Sequence, residues 1–130
     1  MIEQVHTILY VADQAASTRF YSRVLEVEPS LDVPGMTELP LVDGHTLGLM
    51  PEAGIARLLA PALPDPAKAH GTPRVELYLL VDDPAAYQAR ALQAGARELS
   101  ALAPRDWGHE AAYALDPDGH VIAFARPLLG

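Results

Sequence analysis

One short phrase occurs twice in this chain. Asp43-Gly44-His45 and Asp118-Gly119-His120 lie 75 residues apart, and each opens an apolar run, Thr46-Leu47-Gly48-Leu49-Met50 in one case and Val121-Ile122-Ala123-Phe124-Ala125 in the other. Asp-Gly between two extended apolar segments is a strong hairpin signal, because a tight turn needs a positive φ that Gly adopts at little steric cost. A second echo precedes each copy. The stretch from His6, His-Thr-Ile-Leu-Tyr-Val-Ala-Asp, matches the stretch from Glu76, Glu-Leu-Tyr-Leu-Leu-Val-Asp-Asp, at an offset of 70 residues. Two pairs of echoes in the same order predict one module used twice. With 130 residues there is room for one domain, or for two halves each too small to bury a good core alone. The expectation is therefore a single domain over 1–130, with a first module over about 1–60, a linker over about 61–73 and a second module over about 74–130.

Local signals give the same order in both modules. Residues 5–11 form an apolar strand pattern, Asp13 stands where a helix N-cap is needed, and Ala16, Phe20 and Val24 share one face of a helix running to about Leu25. Pro29, Pro34 and Pro40 forbid a long helix beyond it, so 27–33, 37–42 and 46–50 are expected to be short strands. The linker is rich in proline, with Pro61, Pro64, Pro66 and Pro73. In the second module 75–81 is a strand, and Asp83-Pro84 supplies a cap and a first-turn proline for a helix over 84–94 that Gly95 stops. Strands at 98–101, 109–115 and 121–126 complete it.

Composition narrows the function classes. Half the residues are hydrophobic and the net charge is −8, with only nine basic residues, scattered along the chain. Such a chain repels a phosphate backbone, so no nucleic-acid partner is expected. No run approaches the roughly 20 apolar residues of a membrane helix. The first residues enter a strand pattern without a basic or signal-like segment, and a cytoplasmic protein is expected. Cysteine is absent, which removes disulfides, thiolate metal sites and a Cys nucleophile. His109-Glu110 lacks the second His of a zinc-protease helix, and neither Asp-Gly turn carries the acidic ladder of a calcium loop.

A repeated βαβββ module with His6 in its first strand, Trp107-Gly108 before the penultimate strand and Asp116-Pro117-Asp118-Gly119 before the last resembles the vicinal oxygen chelate superfamily over essentially its whole length. That group includes glyoxalase I, extradiol dioxygenases, fosfomycin-resistance enzymes and bleomycin-binding proteins. The resemblance implies an α+β fold in which two βαβββ modules form a half-open, barrel-like cleft, and commonly a homodimer. It also implies four metal-ligand positions, on the first and last strands of each module. Carried over, they are His6, Gly48, Glu76 and Ala123. Gly48 and Ala123 have no donor, and a catalytic zinc or nonheme iron site ordinarily has three protein ligands. The expectation is no cofactor, with a divalent metal on His6 and Glu76 as the alternative.

Strand alternation groups His6, Ile8 and Tyr10 on one face and Glu76, Tyr78 and Leu80 on another, with Met50 sharing the parity of Gly48. An apolar and aromatic surface carrying a few polar groups suits a small organic ligand. His6, Ile8, Tyr10, Met50, Glu76, Tyr78 and Trp107 are the candidate binding residues, with His6 and Glu76 expected to meet as polar anchors. Each has a plainer reading: His6 as a packed core histidine, Glu76 as an edge carboxylate in water, Trp107 as a structural residue at a strand entrance. Two functions follow. The first is a small-molecule binding or sequestering protein of the glyoxalase/bleomycin-resistance type. The second is a divalent-metal lyase, isomerase or dioxygenase, with Glu76 also a candidate acid/base. A metal-free catalyst using the same pair is a third.

Overall fold

The structure is a computed structural model that describes residues 1–69 and 71–129. The chain divides into two compact units, Met1–Gly71 and Thr72–Gly130, each built on a four-stranded sheet.

In the first unit β1 (Val5–Val11) leads into α1 (Gln14–Leu25), followed by β2 (Leu31–Val33), β3 (Met36–Val42), β4 (His45–Pro51) and α2 (Glu52–Leu59). The Asp13 carboxylate accepts from the Ala16 amide at 3.0 Å and starts α1, which ends where Glu26 turns left-handed. Strand order is β1-β4-β3-β2, with β1 parallel to β4 and the other pairs antiparallel. The Asp43-Gly44 turn closes the β3–β4 hairpin with Gly44 at φ 81°. One sheet face carries Leu39, Leu47 and Leu49, all fully buried, and α1 adds Phe20, Tyr21, Val24 and Leu25 to the same core. That face is the helix side. Side chains of the alternate parity, His6, Ile8, Tyr10, Glu38, Gly48 and Met50, lie on the helix-free side.

The second unit repeats the plan. It comprises β5 (Glu76–Leu80), α3 (Pro84–Gln93), β6 (Arg97–Pro104), β7 (His109–Leu115) and β8 (Val121–Pro127), in the order β5-β8-β7-β6 with β5 parallel to β8. Asp83 caps α3 by accepting from the Ala86 amide at 3.2 Å, Pro84 occupies the first turn, and Gly95 at φ 110° follows its end. Phe124 and Ile122, fully buried, face α3, where the Tyr87 ring lies 5.6 Å from that of Phe124.

Two repeats of four strands with a helix on one face thus give an α+β fold, and the departures from expectation are local. The strand anticipated over 27–33 shrinks to Leu31–Val33, because the amide of Val27 reaches back to Ser22 at the end of α1 and Pro29 has no amide to pair. Strand β6 runs past the anticipated 98–101 to Pro104, its pairing with β7 interrupted by register shifts between Glu98 and Ser100 and between Ser100 and Ala103. Helix α2 has no counterpart in the sequence reading. It buries Ile55 alone and contains Gly54, so it carries too little periodic apolar signal to be recognised. The linker includes a short 3-10 turn, Pro66–Lys68, capped by Asp65.

Candidate functional site

On the helix-free face of the first unit, His6 stands opposite Thr46, Ile8 opposite Gly48 and Tyr10 opposite Met50, and Glu38 flanks Gly48 from the other side. His6 Nδ1 lies 3.1 Å from Glu38 Oε2, and both side chains are partly exposed. The carboxylate that meets His6 within its own unit is therefore Glu38, which sequence reasoning missed: it sits in a strand interrupted by Pro40, and only the β3–β4 register brings it across. Ile8 and Tyr10 are 42% and 39% exposed, a partly wetted apolar surface rather than core. A Cβ at Gly48 would lie 3.0 Å from Ile8 Cγ1 and 3.4 Å from Met36 Sδ, so those side chains occupy the space a larger residue would need.

The turn after β2 is tied down. Gln14 accepts from the Gly35 amide at 3.0 Å and donates to the Val33 carbonyl at 2.8 Å, so its amide clamps both sides of the turn. Its Nε2 also reaches Thr37 Oγ1, fully buried, which in turn donates to Asp32 at 3.2 Å.

The second unit assembles a denser group. Tyr78 and Tyr113 flank Ala123 from β5 and β7, and the small Ala leaves the floor between the two rings low. The Trp107 indole, 55% exposed, donates to the Tyr78 hydroxyl at 2.9 Å, and that hydroxyl lies 2.8 Å from His109 Nδ1. Indole N–H only donates, so the phenol oxygen accepts from it, while the direction of the Tyr78–His109 bond follows the imidazole tautomer. The Tyr78 and His109 rings stack with centroids 5.8 Å apart. Arg105 closes the far end, its guanidinium 5.2 Å from the Tyr113 centroid. Burial raises the Tyr113 phenol above its ordinary 10.0, the Glu76 carboxylate and Tyr78 raise it further, and Arg105 opposes them. Glu76 itself is exposed on edge strand β5, not enclosed in an apolar run as its sequence context suggests.

Trp107, Tyr78 and Glu76 were legible as candidates. Tyr113, His109, Arg105 and Ser100 were not. His109-Glu110 draws notice only as a failed zinc motif, and its contact with Tyr78 depends on a pairing between distant strands. Glu110 instead pairs with Arg126 on the neighbouring strand.

Two sheets of order first-fourth-third-second, each with a helix on one face and a polar-aromatic group on the other, define a repeated-module α+β protein. The family model described as "Glyoxalase/Bleomycin resistance protein/Dioxygenase superfamily" matches residues 3–124, and the chain belongs to that superfamily. A glyoxalase/bleomycin resistance protein/dioxygenase family enzyme from Burkholderia phytofirmans is 20% identical with a TM-score of 0.80, over 95% of this chain and 97% of that one. A solution structure of an Agrobacterium tumefaciens protein is 28% identical with a TM-score of 0.72, over 99% and 100%. A lactoylglutathione lyase from the same organism is 21% identical with a TM-score of 0.67, over 94% and 91%. No curated protein matches the chain.

Superfamily members often bind a divalent metal, and the residues here do not fit one. Gly48 and Ala123 contribute no side-chain donor atom, and Ile8 and Met36 fill the space beside Gly48. Among the described residues no three His, Asp or Glu side chains gather at one point. None of the helices among them is long and apolar enough to cross a membrane.

Proposed function

We propose that this protein binds or sequesters a small organic molecule on the aromatic face of its second unit, where Tyr78 and Trp107 contact the ligand and Glu76 supplies a polar anchor. The observation that carries this reading is the Trp107–Tyr78–His109 chain, which holds aromatic rings in fixed orientation while leaving the indole more than half exposed. Rings fixed before binding lose little freedom on contact, and each stacking interaction contributes about 0.5 to 1.5 kcal/mol beyond area burial. His6, Ile8, Tyr10 and Met50 form the corresponding surface of the first unit, with the His6–Glu38 pair as its polar element. We further propose a cytoplasmic homodimer that contacts neither nucleic acid nor membrane. A monomeric mass by light scattering at micromolar concentration would remove the dimer.

Trp107 is the sole tryptophan, so its emission reports on this face alone. A fragment library screened by that emission and by amide chemical-shift mapping should give hits that shift Trp107, and that Tyr78→Ala and Trp107→Ala weaken. Hits that perturb only residues elsewhere would refute the reading. The second reading, a metal-dependent lyase, isomerase or dioxygenase with His6 and Glu76 as ligands or Glu76 as acid/base, rests on those two residues holding family positions. Calorimetric titration of chelator-stripped protein with Ni²⁺, Zn²⁺, Mn²⁺ and Fe²⁺ decides it: stoichiometric binding lost in a His6→Ala, Glu76→Ala variant would put the enzyme first.

A further inference from the structure

Beside Trp107 the second unit has a cavity of about 490 Å³, lined by Ser100, Pro104, Arg105, Asp106, Trp107 and Tyr113. Its chemistry turns on Arg105. The Nε donates to the Ala111 carbonyl at 3.2 Å, and Nη2 donates to the Ala111 carbonyl at 2.8 Å, to the Ala101 carbonyl at 2.9 Å and to Ser100 Oγ at 3.0 Å. All of these acceptors are neutral. They fix the guanidinium plane without compensating its charge, and among the described residues Arg105 has neither a carboxylate partner nor a hydrogen bond from Nη1. Arg126, by contrast, is paired with Glu110.

We propose that this cavity binds the carboxylate of a small aromatic acid, with the Nη1 edge of Arg105 as the anion's partner and the Trp107 and Tyr113 rings against its flat part. The proposal rests on the ligand-binding reading above and specifies the ligand's class. A guanidinium already oriented by backbone carbonyls loses little entropy when an oxyanion arrives, and a planar donor edge suits a planar carboxylate. Trp107 adds an exposed ring face next to that edge, so one molecule carrying both groups satisfies both surfaces. The overall acidic field favours cations at long range, but at a few ångströms the local charge decides. Asp106, exposed on the same rim, and Glu76, near enough to act on Tyr113, oppose an anion and limit its affinity.

The test is titration of the intact chain with benzoate, benzamide and benzylammonium, read by Trp107 emission. Benzoate should bind roughly tenfold more tightly than benzamide, in line with the added strength of a charge-assisted hydrogen bond. Arg105→Gln should erase that preference. Because this variant also removes bonds to Ala101 and Ala111, Asp106→Asn provides a second arm that touches none of them, and it should raise benzoate affinity several-fold. Equal binding of benzoate and benzamide, or tightest binding of benzylammonium, would overturn the anion site while leaving the aromatic surface standing. No binding of any of the three at Trp107 would overturn both.

Discussion

The two sheets place different chemistry on the same four positions. In the first, the first-strand residues are His6 and Ile8, the third-strand residue is Glu38 and the fourth-strand residue is Gly48; in the second they are Glu76, Tyr78, Tyr113 and Ala123. Each face therefore carries an acidic side chain beside a titratable ring, with the strands exchanged: imidazole and carboxylate in one unit, carboxylate and phenol in the other. The partner across from the small residue differs most. Ile8 packs beside Gly48 with Met36, whereas Tyr78 beside Ala123 is hydrogen-bonded to Trp107 and His109. Both units bury apolar side chains on the helix side, as their common scaffold requires, and differ on the helix-free side. The lesson is that a repeat fixes where a functional side chain can stand without fixing which one stands there.

That equivalence of cores is open to direct attack. Leu49 and Phe124 occupy matching positions and both are fully buried. Phe124→Ala should cost about 3 to 5 kcal/mol and Leu49→Ala about 2 to 5, measured by urea denaturation. A loss below 1 kcal/mol at either would mean that its unit contributes little core. The helix caps should match more closely still: Asp13→Ala and Asp83→Ala should each cost about 1 kcal/mol, since both carboxylates accept from the amide three residues on.

The faces should respond differently. Glu38→Gln should move the ring-nitrogen resonance of His6 and cost no more than about 1 kcal/mol, as expected of a half-exposed pair. If Glu76→Gln moves that resonance and Glu38→Gln does not, the first unit's pair is not the one that matters, and the sequence expectation of a His6–Glu76 anchor returns. The smallest effect is at alkaline pH. The Tyr113 phenol is raised in the folded protein, so folded and unfolded chains hold the same proton below about pH 10 and the stability it contributes is fully present there. It falls as pH rises from about 10 through the folded value, because the unfolded phenol ionises first. Tyr113→Phe should abolish that part of the alkaline decline and remove one tyrosine step from those seen by absorbance near 295 nm. An unchanged alkaline profile would show that Tyr113 is not held neutral by its surroundings.

Module order, both Asp-Gly hairpins, both N-caps and the superfamily could be read from the residues, since each depends on neighbours within a few positions or on the repeat itself. The chain also revealed, without any structure, that Gly48 and Ala123 offer no side-chain ligand to a metal. Helix α2 escaped because one buried side chain in eight residues leaves no periodic signal. The partners of the site escaped for a different reason. Glu38 reaches His6 and His109 reaches Tyr78 only through strand register, and a shift of one residue would send those side chains to the opposite face. Local chemistry determined the elements and their order; long-range pairing, whose energy lies in contacts dozens of residues apart, decided which charges and rings would meet.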